Sequence, residues 1–157
     1  MASASMVHAI GMLSTLAIFM IISYASVNYI TSTTQAVISS QLKEVAARVS
    51  STAIDLTVLA MNSKSESLTL EKRINIPITV SGNPYSVMLV KSDGIWKARA
   101  RLNAQQTVSG EEILWSGDSS TIGVVQSTIP AGKPLIVRCD KTSIGGNLTI
   151  TIQLFGG

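Results

Sequence analysis

Between Met1 and Leu42 the chain has no Asp, Glu, Lys or Arg, so all of its charged side chains fall in residues 43–157. An uncharged stretch of that length excludes an ordinary solvated surface. Proline is absent before Pro77, and Gly11 is the only glycine before Gly82, so nothing there breaks a helix. One cysteine, Cys139, excludes an internal disulfide framework. It ends the run "LIVRC", in which Leu135, Val137 and Cys139 share one face, and reads as a small buried hydrophobe.

The chemical inventory is equally thin. One histidine, His8, lies inside the apolar stretch and reads as structural, which excludes His-based triads and histidine-rich metal sites. No Gly-rich phosphate cradle precedes a helix, and Gly145-Gly146 reads as a turn. Glu111 and Glu112 are adjacent, so on a strand they point to opposite faces and cannot share a substrate. Lys97, Arg99 and Arg101 alternate along one strand and read as a solvated face, not a nucleic-acid patch. The expectation is a chain that is no enzyme, with no catalytic residue, metal, cofactor or nucleic-acid partner.

What is present first is "MVHAIGMLSTLAIFMIISYASVNYI", residues 6–30. With the residues that follow, it predicts one helix over 1–62, roughly 80 Å long from residue 6 to 61. Its two parts differ. In the apolar rod, 6–30, apolar residues occupy every face, so that part must be buried all round. Its length also suits one bilayer crossing. A secretory signal does not fit, because there is no cationic N-terminal region and the helical pattern runs on unbroken. No Lys or Arg flanks its N-terminal side, so charge bias assigns no orientation.

In the amphipathic half, 37–60, Ile38, Leu42, Val45, Val49, Thr52, Leu56 and Leu59 recur at steps of four and three. Gln41, Lys43, Glu44, Arg48 and Asp55 occupy the other faces. A single heptad stripe beside a strand-rich region reads as a seam packed on that region rather than as a coiled coil.

After the polar break "MNSKSES" the pattern is one of strands: "LTLEKRINIPITV", "YSVMLVK", "IWKARARLN", "EEILWSG", "TIGVVQSTI", "KPLIVRC" and "NLTITIQLF". Asp93-Gly94 marks a hairpin. Trp96, Ala98, Ala100 and Leu102 alternate with the cations of their strand, and Leu148, Ile150, Ile152 and Leu154 with threonines and Gln153. The predicted class is α+β: a long hydrophobic N-terminal helix, then a small antiparallel β-sandwich-like head over 68–157. Asn147-Leu148-Thr149 fits a glycosylation acceptor, meaningful only on an exported chain.

An uncharged apolar helix continuing through the stripe "QLKEVAARVSSTAIDL" into a strand-rich region resembles the type IV pilin superfamily over the whole chain. Where bacterial members typically carry a Glu near the N-terminus, Ser5 stands with no acid nearby, which resembles the archaeal pilins and the related archaellins. "RINIPITVSGNPYSVML" is similar to a strand–turn–strand phrase of archaeal pilin-like proteins. The family's basic leader is not among these residues, which the resemblance reads as a mature chain or a relative lacking one.

The resemblance implies a structural subunit of an extracellular, adhesive, archaeal type IV-like pilus. Its partners would be identical subunits in a helical homopolymer, the membrane before assembly, and the pilus assembly machinery. Ile10, Gly11, Leu13, Leu16, Ala17, Ile18, Phe19, Ile21 and Ile22 would pack the filament core. Gly11, Ser14, Ala17, Ser23, Ala25 and Ser26 would allow close helix approach. The alternatives are an archaellum subunit serving motility and a single-pass, membrane-anchored extracytoplasmic binding protein.

Overall fold

The structure, a computed structural model, describes residues 2–116, 121–144 and 147–156; the Gly145-Gly146 turn lies outside them. One helix, α1 (Ala2–Asn62), is followed by eight strands. These are β1 (Ser67–Ile74), β2 (Tyr85–Ser92), β3 (Ile95–Leu102), β4 (Ser109–Ser116), β5 (Ile122–Val124), β6 (Thr128–Pro130), β7 (Leu135–Ile144) and β8 (Asn147–Gly156). They form two four-stranded sheets, β1-β7-β8-β5 and β4-β3-β2-β6. The α+β arrangement is the one expected.

The chain divides into two compact units at Val37/Ile38, inside α1. The sequence reading placed the boundary after the helix instead, with a head beginning at 68. The physical reason for the shift is that the strands cannot fill their own interior. Leu42, Ala46, Val49, Ala53 and Ala60 are fully buried in one cluster with Tyr85, Val87, Leu89, Ala98, Cys139 and Ile150. Residues 38–60 are part of that core.

The stripe itself is phased differently from a heptad. Ile38, Leu42, Val45, Val49, Thr52 and Leu56 are buried, but Leu59 is 59 % exposed and Ala60 takes its place. A straight helix drifts about 20° per heptad. The buried residues repeat at eleven positions instead: 38, 49 and 60; 42 and 53; 45 and 56; 46 and 57. By the third heptad Leu59 has rotated off the seam.

Two features hold this part of α1 against the edge strand β4. Ser39 Oγ donates to the Ser109 carbonyl at 3.0 Å, and Ser50 Oγ to the Ile113 carbonyl at 2.6 Å, so the helix satisfies carbonyls that an edge would leave open. Between them lies Gly110. A Cβ there would overlap the backbone of Leu42 and Lys43, so only glycine permits this approach. At the other end, buried Lys141 on β7 donates to the Ser63 carbonyl at 2.6 Å. α1 has no basic residue in its last turn, and Lys141 supplies the missing cation.

Strand details follow local chemistry. Asp93 (φ 55°) and Gly94 (φ 74°) both adopt positive φ between β2 and β3, the pattern of a type I′ hairpin turn. "TIGVVQSTI" is not one strand. It splits into β5, parallel to β8, and β6, antiparallel to β2, so the sandwich is not wholly antiparallel. Val125 N–H still donates to the Ile152 carbonyl (2.9 Å), while the Ser127 carbonyl already accepts from Leu89 N–H (3.2 Å). The chain changes sheets between them. "LTLEKRINIPITV" likewise stops as a strand at Ile74, ahead of Pro77. The fully buried Tyr85 ties down the loop that follows, its hydroxyl donating to the Pro77 carbonyl at 2.6 Å.

Two predictions follow from this packing. Gly110→Ala should lower the stability of a fragment spanning Ser32–Gly157 by about 3 kcal/mol, read from its urea midpoint. Burial pushes the Tyr85 hydroxyl up from 10.0 to about 12. Its contribution is therefore complete below the ordinary tyrosine value and is lost as pH rises through the folded one. The denaturant midpoint of the same fragment should fall between about pH 10 and pH 12, and Tyr85→Phe should flatten that fall.

Candidate functional site

The feature without a partner is the first unit. From Met6 to Val37 every residue is exposed. Ile10, Leu13, Leu16, Ile18, Phe19, Ile21 and Ile22 are each 55–70 % exposed, close to what a side chain on an isolated helix presents. Successive residues turn about 100°, so these seven cover all sides. Gly11 and Ala17 are exposed among them, and a Cβ at Gly11 would meet nothing within 4 Å.

Four hydroxyls of this surface are turned inward on the helix. Ser14 Oγ donates to the Ile10 carbonyl and Thr15 Oγ1 to that of Gly11, both at 2.9 Å. Thr31 Oγ1 and Ser32 Oγ bond Val27 and Tyr29 carbonyls at 2.9 and 3.1 Å. Such back-bonding lets hydroxyls sit in apolar surroundings without an unsatisfied donor. Residues 6–30 extend about 37 Å, against a bilayer core of about 30 Å. Tyr24 and Tyr29, each 73 % exposed, close the run with the amphipathic rings favoured at a membrane–water boundary. The helix is long and apolar enough to cross a membrane.

The second unit offers little chemistry. Among the described residues, no group of three or more His, Cys, Asp or Glu is placed to hold a metal. Glu111 takes Arg99 at 2.6 Å and Lys97 at 3.4 Å, so two of the three cations on that strand face share one carboxylate. Leu135, Val137 and Cys139 are fully buried in the core. Burial pushes the Cys139 thiol up, and a hydrogen bond with Thr57 offsets part of that rise. Asn147 opens β8, and both it and Thr149 are exposed.

Two clefts of the second unit stand out among the described residues. One, of about 500 Å³, is lined by Arg73, Ile74, Asn75, Ile76, Ile78, Gly132, Lys133 and Pro134. The other, of about 330 Å³, lies between Gln41–Arg48 and the loop Pro77–Ser81. The first has no hydroxyl, thiol or carboxylate in its lining; in the second, Ser81 Oγ donates to Gln41 and Glu44 is paired with Arg48, so that hydroxyl is not joined to a base.

Sequence reasoning missed Gly110, Lys141 and the two serines that bond β4. Gly110 carried a usable signal, since glycine inside a strand marks a close backbone approach. The chain matches no protein-family model, no curated protein and no solved structure.

The contrast between the units gives a direct expectation. A Ser32–Gly157 fragment should sediment as a monomer without detergent, whereas the full chain should need detergent or lipid to avoid association.

Proposed function

We propose that this chain is a non-enzymatic structural protein, the repeating subunit of an extracellular filament of the archaeal type IV pilin kind, serving adhesion. The reading rests on residues 6–30: apolar on every side, unpartnered within the chain, and followed by no charge until Lys43. In this reading lipid solvates the helix first, and assembly then moves it into a bundle of identical helices.

The energetics suit such a transfer. Residues 6–30 carry 18 apolar side chains, and leaving water the larger of them would gain about 1.5–3 kcal/mol each. Leaving lipid, the gain is much smaller and comes from close packing, where Gly11, Ser14, Ala17, Ser23, Ala25 and Ser26 allow helices to approach. A charge in that bundle would be unpaired and desolvated. Because the polymer must propagate, its contacts are heterologous: one side of a helix meets a different side of its neighbour.

The test is electron microscopy of material sheared from expressing cells, with a reconstruction that apportions buried area by residue. Filaments of this chain with several 6–30 helices around each copy are expected, and Leu16→Asp should abolish them while leaving the Ser32–Gly157 fragment folded. Surface material without filaments would favour a membrane-anchored monomer. A closed two-fold dimer would exclude a filament altogether.

A further inference from the structure

The second unit has two ends of different charge. One end gathers the start of its helix with three strand connections. Ser39 bonds Ser109, Ser81 Oγ donates to Gln41 Oε1 at 3.2 Å, Ala131 N–H donates to the Tyr85 carbonyl, and Asn103 N–H to that of Pro84. The segments meeting there are 38–43, 73–86, 100–110 and 128–136. They contain Lys43, Arg73, Arg101 and Lys133; the acid at this end, Glu44 beside the 77–81 loop, is held by Arg48 at 2.7 Å. Four positive side chains exceed the +3 of the whole chain, so this end carries its net charge. None of the four is in an ion pair among the described residues. The opposite end, at 62–67 and 90–96, balances Lys64 and Lys91 against Glu66 and Asp93.

Arg73 and Lys133 flank the larger cleft, whose lining includes no carboxylate. Glu71, two residues back on β1, is held by Arg138 at 3.7 Å. From the cleft's lip Ile78 stands 70 % exposed. An apolar tip between free cations is the pattern of an interfacial anchor on an acidic membrane.

Chain connectivity selects the same surface. Ile38, at this end, follows Ile30 by eight residues, a reach of no more than about 29 Å even fully extended. With 6–30 in a bilayer, the covalent chain holds Ile38 within that reach of the end of the membrane segment.

We propose that this end is an anion-binding face seated on the phosphate headgroups of acidic lipids, with Arg73 and Lys133 on phosphate and Ile78 at the interface. The proposal rests on the membrane stage of the reading above. A second copy fits less well as the occupant: Glu44, Glu71, Glu111 and Asp140 are already paired, and the acids that remain, such as Asp55, Glu66 and Glu112, lie on separate elements, whereas acidic headgroups present a continuous anionic plane.

The test is hydrogen exchange on the full chain in vesicles of phosphatidylcholine, alone or mixed with phosphatidylglycerol. Amides of 6–30 report insertion and those of 75–84 report the face. Expected is protection of 6–30 in both vesicles, with 75–84 exchanging about tenfold slower over phosphatidylglycerol. High salt or the pair Arg73→Gln and Lys133→Gln should remove that slowing, and Ile78→Ser should reduce it. With 6–30 protected, equal exchange of 75–84 in the two vesicles overturns the proposal alone, as does slowing that the double variant retains. Slowing that follows protein-to-lipid ratio and not lipid charge overturns it in favour of a second copy. Exchange-open 6–30 in both vesicles overturns the membrane stage and this proposal together.

Discussion

A straight α-helix advances 100° per residue, and that angle governs what each part of α1 can do. Where apolar residues recur close to the helical period, they collect on one side and a single surface buries them. Residues 38–60 meet this condition, and the two sheets close over them. Where apolar residues fill every angle, no single surface suffices. Residues 6–30 are of that kind, and nothing in the chain covers them. One helix thus serves as the interior of a domain and as an uncovered surface.

Burying one helix against the strands imposes conditions elsewhere. Edge carbonyls on β4 need donors, which Ser39 and Ser50 supply without bringing charge into the core. The strand must come within backbone contact, which restricts position 110 to glycine. The last turn needs a cation, and Lys141 reaches it from β7. Each device is a small or polar residue in an otherwise apolar setting. Hydrophobic patterning registers such residues as interruptions.

That difference explains how much was legible from the residues alone. The long helix, the α+β class, the Asp93-Gly94 turn and the inward faces of β3 and β8 follow from breakers and periodicity, which are local. The start of the compact unit was not legible, because it depends on where strands eighty residues later find their core. Leu59 was assigned to the seam because seven and eleven residues differ too little to separate over three turns. "TIGVVQSTI" was read as continuous since leaving one sheet for another depends on carbonyl partners in β2 and β8. The candidate site was legible almost entirely, being defined by composition: apolar everywhere and charged nowhere.

The inward-turned hydroxyls of Ser14 and Thr15 bear on mechanics. Where hydroxyls are already bonded to their own helix, as at these two positions, the helix offers a neighbour shape but no free donor. Two such helices can slip along each other by a turn, exchanging one set of van der Waals contacts for another and leaving no donor stranded. The self-bonded serine and threonine would act as a lubricant built into the covalent chain.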